Sequence, residues 1–150
     1  MNVTTTTQRR WFASYVESLM SAILEEPAER DSDGDIPIHG ETSQCWVRAD
    51  AREPWGVQIF AIAAQGVPIR AATLREINEI NGTYTAIKVA IHAPGSVMVD
   101  YRLMADAVTE DNLREAISRV IMVADDIGPM LSAVYGGETP IPVSASVLDM

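Results

Sequence analysis

The sequence predicts an α+β fold in the order helix, three strands, helix, two strands, helix, with a mainly antiparallel five-stranded sheet and packed helices. Three observations predict it. Apolar pairs recur every four residues over residues 8–25, as in a helix with a wide apolar stripe. Short alternating or continuous apolar runs between residues 36 and 64, and again between 84 and 103, indicate strands. Apolar residues at heptad-like steps over residues 113–134 predict a long final helix with one buried face.

Composition and charge limit the class of protein. The 150 residues are 47% apolar and 21% charged, which is typical of one folded domain. The formal net charge of -10 predicts a surface that repels nucleic acid and anionic lipid and attracts basic peptides. We expect a flexible N-terminus over residues 1–7, one domain over 8–137 and an extended tail over 138–150.

Cysteine usage and hydropathy favour a cytoplasmic protein. The single cysteine, Cys45, cannot form an internal disulfide, which fits a reducing compartment. The polar start of the chain predicts no secretion signal. No apolar run approaches the about 18 residues of a membrane span, so we expect no membrane partner.

The first predicted helix has a narrow polar face, because Trp11 and Tyr15 belong to an unusually wide apolar stripe. A helix packed only on its own sheet is the favoured interpretation. The alternative is a helix that also binds a partner through Trp11 and Tyr15.

An acidic loop follows, with the motif Asp31-Ser32-Asp33-Gly34-Asp35. A calcium-binding EF-hand loop needs Gly at its sixth position and Glu at its twelfth, where this chain has Ile36 and Thr42. A turn whose aspartates bond their own backbone is therefore favoured over a metal site.

The first three strands carry apolar residues on both sides of the predicted sheet. Ile36 and Ile38 flank Pro37, which marks an edge strand to which an extended peptide could add. Alternation along the second strand places the Trp46 side chain on the face opposite to Cys45. Along the third strand it places Phe60 and Ile62 on the face opposite to their sequence neighbours. Two alternatives stay open: helices cover both faces, or a partner covers an apolar patch of these three residues, Trp46, Phe60 and Ile62.

Local signals define the remaining elements. Thr73 is predicted to cap a helix over residues 74–80 that closes at Asn81-Gly82, and Asn81 is expected to bond loop backbone. The hairpin that follows must pair residues of one face. This requirement predicts a loop of Ala93-Pro94-Gly95, in which Gly95 has a positive φ. It also predicts that Ile91 pairs with Val97 and Lys88 with Asp100.

The final helix is predicted to begin after a Thr109 cap and to end at Gly136-Gly137. Pro129 lacks the N–H that would bond the carbonyl of Asp125, so we expect a kink or break near Gly128.

Catalytic chemistry is not evident in the sequence. The two histidines, His39 and His92, lie on an edge strand and beside a turn, and Cys45 lies in an apolar alternation that suits a buried thiol. Gly136-Gly137 follows a helix rather than opening one, so it is no phosphate loop. We therefore expect no enzymatic activity and no cofactor or metal.

The completed pattern resembles the YbjN-like family, which is similar in fold to the type III secretion chaperones of the CesT class. The resemblance covers roughly residues 8–137 and rests on the order and spacing of five motifs. These are Asp33-Gly34-Asp35, Leu-x-x-Ile-Asn-x-x-Asn over residues 74–81, Ala93-Pro94-Gly95, residues 113–125 ending in Val-Ala-Asp, and Tyr135-Gly136-Gly137. It implies a small, acidic, cytoplasmic protein, commonly a homodimer, that binds extended client peptides without catalysis.

Two hypotheses follow. The leading one is a non-enzymatic, chaperone-like peptide-binding module of the YbjN type. The alternative is a regulatory or structural homodimer, similar to sensory transduction regulators, in which the apolar sheet face is the subunit interface. Partner-binding candidates are Trp11, Tyr15, Ile36, Ile38, Trp46, Phe60 and Ile62.

Overall fold

The structure, a computed structural model, describes residues 3–144. Its elements follow the predicted order and confirm the α+β class. They are α1 (Val3–Leu24), β1 (Ile36–His39), β2 (Gln44–Asp50), β3 (Gly56–Ala64), α2 (Ala71–Thr83), β4 (Lys88–His92), β5 (Ser96–Met104), a single 3-10 turn (Ala105–Ala107) and α3 (Glu110–Tyr135). Within this part of the chain, no helix is long and apolar enough to cross a membrane.

The five strands form one sheet in the order β1-β2-β3-β5-β4, and every neighbouring pair is antiparallel. Strand β3 is central, and β1 and β4 are the edges, so the prediction of an edge strand around Pro37 is confirmed. Helix α2 connects central strand β3 to edge strand β4, and β5 then returns between these two strands.

All three helices pack on one face of this sheet. Helix α3 covers β3 and β5, α2 covers β4, and α1 lies beside α3 over β2. The strand residues beneath them are almost fully buried and form the core with the apolar stripes of the helices. They include Cys45, Val47, Val57, Ile59, Ala61, Val89, Val97 and Val99. No helix among residues 3–144 covers the opposite face, which is therefore the exposed side of the sheet.

Two helix starts differ from the sequence prediction. Helix α1 begins at Val3, five residues before the predicted start at residue 8, and residues 1–2 lie outside the described chain. Helix α2 begins at Ala71 after Arg70, which places Thr73 inside the first turn. The Thr73 hydroxyl accepts from the Arg70 N–H at 3.0 Å and donates to the Pro68 carbonyl at 2.7 Å. It thus stabilises the helix start from the third helical position instead of the cap.

Helix α3 begins as predicted, with the Thr109 hydroxyl accepting from the backbone N–H of Asn112 at 3.1 Å. It continues through Pro129 to Tyr135, so the predicted break is absent. A residue before proline avoids the helical region partly because its Cβ meets the proline ring, and Gly128 has no Cβ. The helix is therefore not forced to end there.

The hairpin prediction is confirmed in register. Ile91 pairs with Val97 and Lys88 with Asp100, and Gly95 has a φ of 146°. On the open edge of β4, the Asn81 side chain donates to the Val89 carbonyl and accepts from the Val89 N–H, both at 2.8 Å. The predicted backbone role of Asn81 is thus confirmed, and it occupies the edge where another strand would pair.

The loop that follows β1 is held by one carboxylate of α3. Asp125 accepts from the backbone N–H groups of Glu41, Thr42 and Ser43 at 3.0–3.1 Å and from the Ser43 hydroxyl at 2.8 Å. Burial raises the pKa of Asp125, but these donors outweigh it and lower the pKa below its ordinary value. The charged form of Asp125 therefore stabilises the folded state.

We expect Asp125→Asn to lower the free energy of unfolding by about 2 kcal/mol at neutral pH, because charge-assisted bonds are lost. A carboxyl group whose pKa is lowered in the folded state stabilises that state at pH values above its unfolded pKa of about 4. This stabilisation is lost as the pH falls through the lower pKa of the folded state. The variant should accordingly lose less stability than wild type on acidification. Urea unfolding at several pH values measures both. Asp126→Asn is the control, since Asp126 is exposed and accepts a bond from the Tyr84 hydroxyl. An equal loss in the two variants would contradict the role of Asp125.

The tail and the acidic loop complete the fold. The backbone of Glu138 pairs with Gln65 through bonds of 2.8 and 2.9 Å, and Ile141 N–H donates to the Thr42 carbonyl at 3.0 Å. Residues 138–144 therefore lie along the surface, while the rest of the predicted tail, 145–150, is outside the described residues. Asp31 accepts from the backbone N–H groups of Asp33 and Asp35, which confirms the predicted turn.

Candidate functional site

The sheet face without helices is the candidate site and is called the open face below. Strand register decides its members, because residues directly paired across strands point the same way. It comprises Pro37 and His39 of β1; Gln44, Trp46, Arg48 and Asp50 of β2; Gly56, Gln58, Phe60 and Ile62 of β3; Ser96, Met98, Asp100, Arg102 and Met104 of β5; and Lys88, Ala90 and His92 of β4.

An apolar centre occupies the middle of the open face. Trp46 pairs with Phe60 across β2 and β3, and their rings stack with centroids 5.5 Å apart at an angle of 23°. In the adjacent row Ile62 pairs with Met98. All four side chains are partly exposed, so the centre is an apolar platform supported by its own contacts and accessible to a ligand.

One cation is fixed beside this platform. The Arg48 guanidinium lies 5.0 Å from the centre of the Phe60 ring and donates two bonds to Asp35, at 2.7 and 2.8 Å. A forked pair of this kind holds the guanidinium plane in one orientation. The hydrogen bond to Asp35 raises the pKa of Arg48, which keeps this residue charged.

A second charged group lies toward the end of β5. Buried Asp50 accepts from Arg52 at 3.0 Å and from Arg102 at 2.9 Å, and Arg52 and Arg102 hold its pKa well below the ordinary range. Lys88 lies 3.6 Å from Asp100, whose carboxylate also accepts from the Gln58 amide at 3.2 Å. The open face thus combines an apolar centre with a charged margin.

The predicted contact residues fall into separate places. Trp46, Phe60 and Ile62 come together on the open face. Trp11 and Tyr15 lie on α1, on the helix side of the sheet, where their rings stack at 5.5 Å with an interplanar angle of 2°. Tyr15 also donates to the Val108 carbonyl, whereas Trp11 is 65% exposed. The two aromatic pairs therefore belong to different surfaces.

The side chains of Ile36 and Ile38 face the helices. Ile36 is 4% exposed and Ile38 packs against the core, because both pair with the buried face of β2. Any contribution of β1 to binding would use its backbone edge, where Pro37 has no N–H to offer. Strand addition along β1 stays a prediction.

Sequence reasoning did not select Met98 or Arg48 for the site. The predicted pairing of Lys88 with Asp100 could have found Met98, because a residue two positions along β5 shares the same face. No sequence signal placed Arg48 over Phe60, since that contact depends on the pairing of β2 with β3.

Groups with catalytic or metal-binding potential are already engaged. Burial raises the pKa of Cys45 to about 12, so its thiol stays protonated at neutral pH. Carboxylate oxygens of Asp31, Asp33 and Asp35 lie within 4.8 Å of one another, but Asp31 bonds the turn backbone and Asp35 holds Arg48. The open face itself presents a binding surface without an activated nucleophile among the described residues.

Comparison with known proteins identifies the family. The sequence profile described as "T3SS (YopN, CesT) and YbjN peptide-binding chaperone 1" matches residues 10–143. The chain belongs to this family of peptide-binding chaperones. A search of curated protein sequences found no match.

Solved structures of chaperone complexes share the fold. The crystal structure of the ExsC-ExsE complex contains a chain with a TM-score of 0.62 and 13% identity, over 87% of this chain and 97% of that one. The HopA1-SchA chaperone-effector complex contains a chain with a TM-score of 0.63 and 10% identity, over 82% of this chain and 97% of that one. For the Yersinia pestis type III secretion chaperone SycH, in complex with a fragment of YscM2, the TM-score is 0.57 and the identity 14%, over 75% of this chain and 96% of that one. At these identities the likeness establishes the fold alone, whereas the family rests on the sequence profile.

Proposed function

We propose that this peptide-binding chaperone holds an extended segment of a client protein on the open face, with the Trp46–Phe60 platform as its main contact. The observation that supports this most is an apolar, aromatic centre on the one sheet face that no described helix covers. Solved relatives of this fold are complexes of a chaperone with an effector or fragment, which makes a protein client the appropriate class of ligand.

Apolar contact with the platform supplies most of the binding energy. An apolar side chain of the client would cover Trp46, Phe60, Ile62 and Met98, and aromatic residues of this type contribute most of the energy in protein interfaces. The protein acts by binding alone, without catalysis, in the cytoplasm and as a homodimer. The -10 net charge keeps it soluble and separates it from nucleic acid and anionic membranes.

We expect Phe60→Asp to weaken peptide binding by more than about tenfold, because it removes one ring of the stacked platform and puts a second carboxylate directly opposite Asp100. The assay is fluorescence anisotropy of a short fluorescein-labelled peptide with a Leu-Phe-Ile core in a Gly-Ser background. Met122→Asp is the matched control, since Met122 is 60% exposed on α3, on the helix side of the sheet. Thermal melts establish that both variants fold.

The same variant separates binding from dimerisation. Under the proposal, Phe60→Asp loses peptide binding and keeps the mass of wild type in light scattering. Dissociation of a wild-type dimer by Phe60→Asp would instead assign the open face to the subunit interface. Equal peptide affinity in Phe60→Asp, Met122→Asp and wild type would refute the open face as the client site.

A further inference from the structure

One end of the charged margin differs in charge from the rest of the protein. Around the start of β4, three cations lie with two carboxylates, whereas the chain as a whole carries -10. They are Arg52, Lys88 and Arg102, and Asp50 and Asp100. Charges elsewhere on the surface are screened beyond about 8 Å at physiological salt. A ligand bound at this end of the face therefore responds mainly to the local excess of positive charge.

Part of this margin forms a recess at a step in the sheet. Strand β5 continues to Met104, but β4 begins only at Lys88, opposite Asp100. Beyond Asp100, β5 is therefore paired only with β3. The recess at this step has a volume of about 530 Å³ and is lined partly by Arg52, Lys88 and Arg102.

Two of these cations can turn to a ligand at little cost. The side chains of Arg52 and Lys88 are 79% and 74% exposed, so each keeps most of its hydration and freedom. When Arg52 and Lys88 turn away, the carboxylates that they leave keep other hydrogen-bond donors. Asp50 keeps Arg102 at 2.9 Å, and Asp100 keeps the Gln58 amide at 3.2 Å. No buried carboxylate is left unpaired by the exchange.

From this arrangement we propose that the client segment carries an acidic residue, Asp or Glu, next to its apolar anchor, and that its carboxylate is bound in the recess by Arg52 and Lys88. The inference rests on the proposed function, because it names the chemistry of the peptide held on the same face. It reverses the preference for basic peptides that the net charge alone predicts. The Arg–carboxylate fork supplies direction, and Lys88 adds a mobile point charge.

Three labelled peptides with the same Leu-Phe-Ile core, flanked by Glu, Gln or Lys, test this by fluorescence anisotropy. We expect the Glu peptide to bind about threefold more tightly than the Gln peptide, as for an exposed ion pair, and the Lys peptide to bind most weakly. Arg52→Gln and Lys88→Gln should each reduce the Glu preference, and high salt should abolish it. Arg114→Gln is the control, because Arg114 is half exposed and pairs with Glu110 on α3. It should keep the preference.

Tightest binding of the Lys peptide, or a Glu preference that survives in both recess variants, would overturn the acidic client while leaving peptide binding intact. Binding of none of the three peptides would overturn the proposed function and this inference with it. Competition by an oligothymidylate for the Glu peptide would also overturn it, since the face would then bind nucleic acid. Circular dichroism melts establish that the two recess variants, Arg52→Gln and Lys88→Gln, are folded.

Discussion

Gly128→Ala is expected to lower the free energy of unfolding by about 3 kcal/mol, since it forces atoms into a packed core. A Cβ built at Gly128 would lie 2.2 Å from the carbonyl oxygen of Ala63 and 3.1 Å from its carbonyl carbon. Both atoms belong to the backbone of central strand β3, which cannot move without disturbing its neighbours on both sides. The added methyl would also disfavour the helical conformation before Pro129.

Gly82→Ala provides the matched control for this substitution. Gly82 lies in α2, and a Cβ there would meet nothing within 4 Å. The same chemical change should therefore raise stability by about 0.5–1 kcal/mol, because alanine restricts the unfolded chain and favours helix. Urea unfolding followed by circular dichroism measures both variants. A stability change of the same sign and size in the two would show that α3 does not press against β3 at Gly128.

Trp46→Ala is expected to weaken binding of the Leu-Phe-Ile peptide by about thirtyfold, the effect of losing a central aromatic contact worth roughly 2 kcal/mol. Trp46 forms half of the stacked platform, and its removal also leaves Phe60 without its ring partner. Isothermal titration calorimetry gives the affinity directly and does not depend on tryptophan fluorescence, which the substitution changes.

Trp11→Ala separates the two aromatic surfaces. Trp11 is more exposed than Trp46 and also stacks on a neighbouring ring, but it does so on α1, on the helix side. We expect its substitution to change the affinity by less than about twofold, as for a residue outside the interface. If Trp11→Ala abolished binding and Trp46→Ala did not, α1 rather than the open face would hold the client.

Much of the fold followed from local pattern. The parity of apolar positions predicted the register of β4 with β5, because a shift of one residue would have buried Asp100 in place of Val99. The Thr109 cap and the end of α3 at Gly136 followed from side-chain and glycine chemistry in the same way. The start of α2 did not, since a threonine hydroxyl can stabilise a helix start from the cap or from inside the first turn.

The site was less accessible to sequence reasoning. Alternation placed Trp46 opposite to Cys45 on β2, and Phe60 and Ile62 opposite to Ile59 and Ala61 on β3, but it left open whether helices cover both sides. It could not place Ile36 on the opposite face, because the direction of β1 relative to β2 depends on their pairing.

Charge showed the same limit. The net charge of -10 describes the whole chain, whereas the recess at the start of β4 brings together Arg52, Lys88 and Arg102 from distant positions in the sequence. Only the order and length of the strands reveal that local excess.

The most direct measurement of the central claim is photo-crosslinking with a Leu-Phe-Ile peptide in which the central phenylalanine is replaced by benzoyl-phenylalanine. Mass spectrometry of the digested adduct locates the residues within reach of that side chain. Binding on the open face predicts adducts in strands β2, β3 and β5, around Trp46, Ile62 and Met98. Adducts confined to α1, α2 or α3 would contradict it.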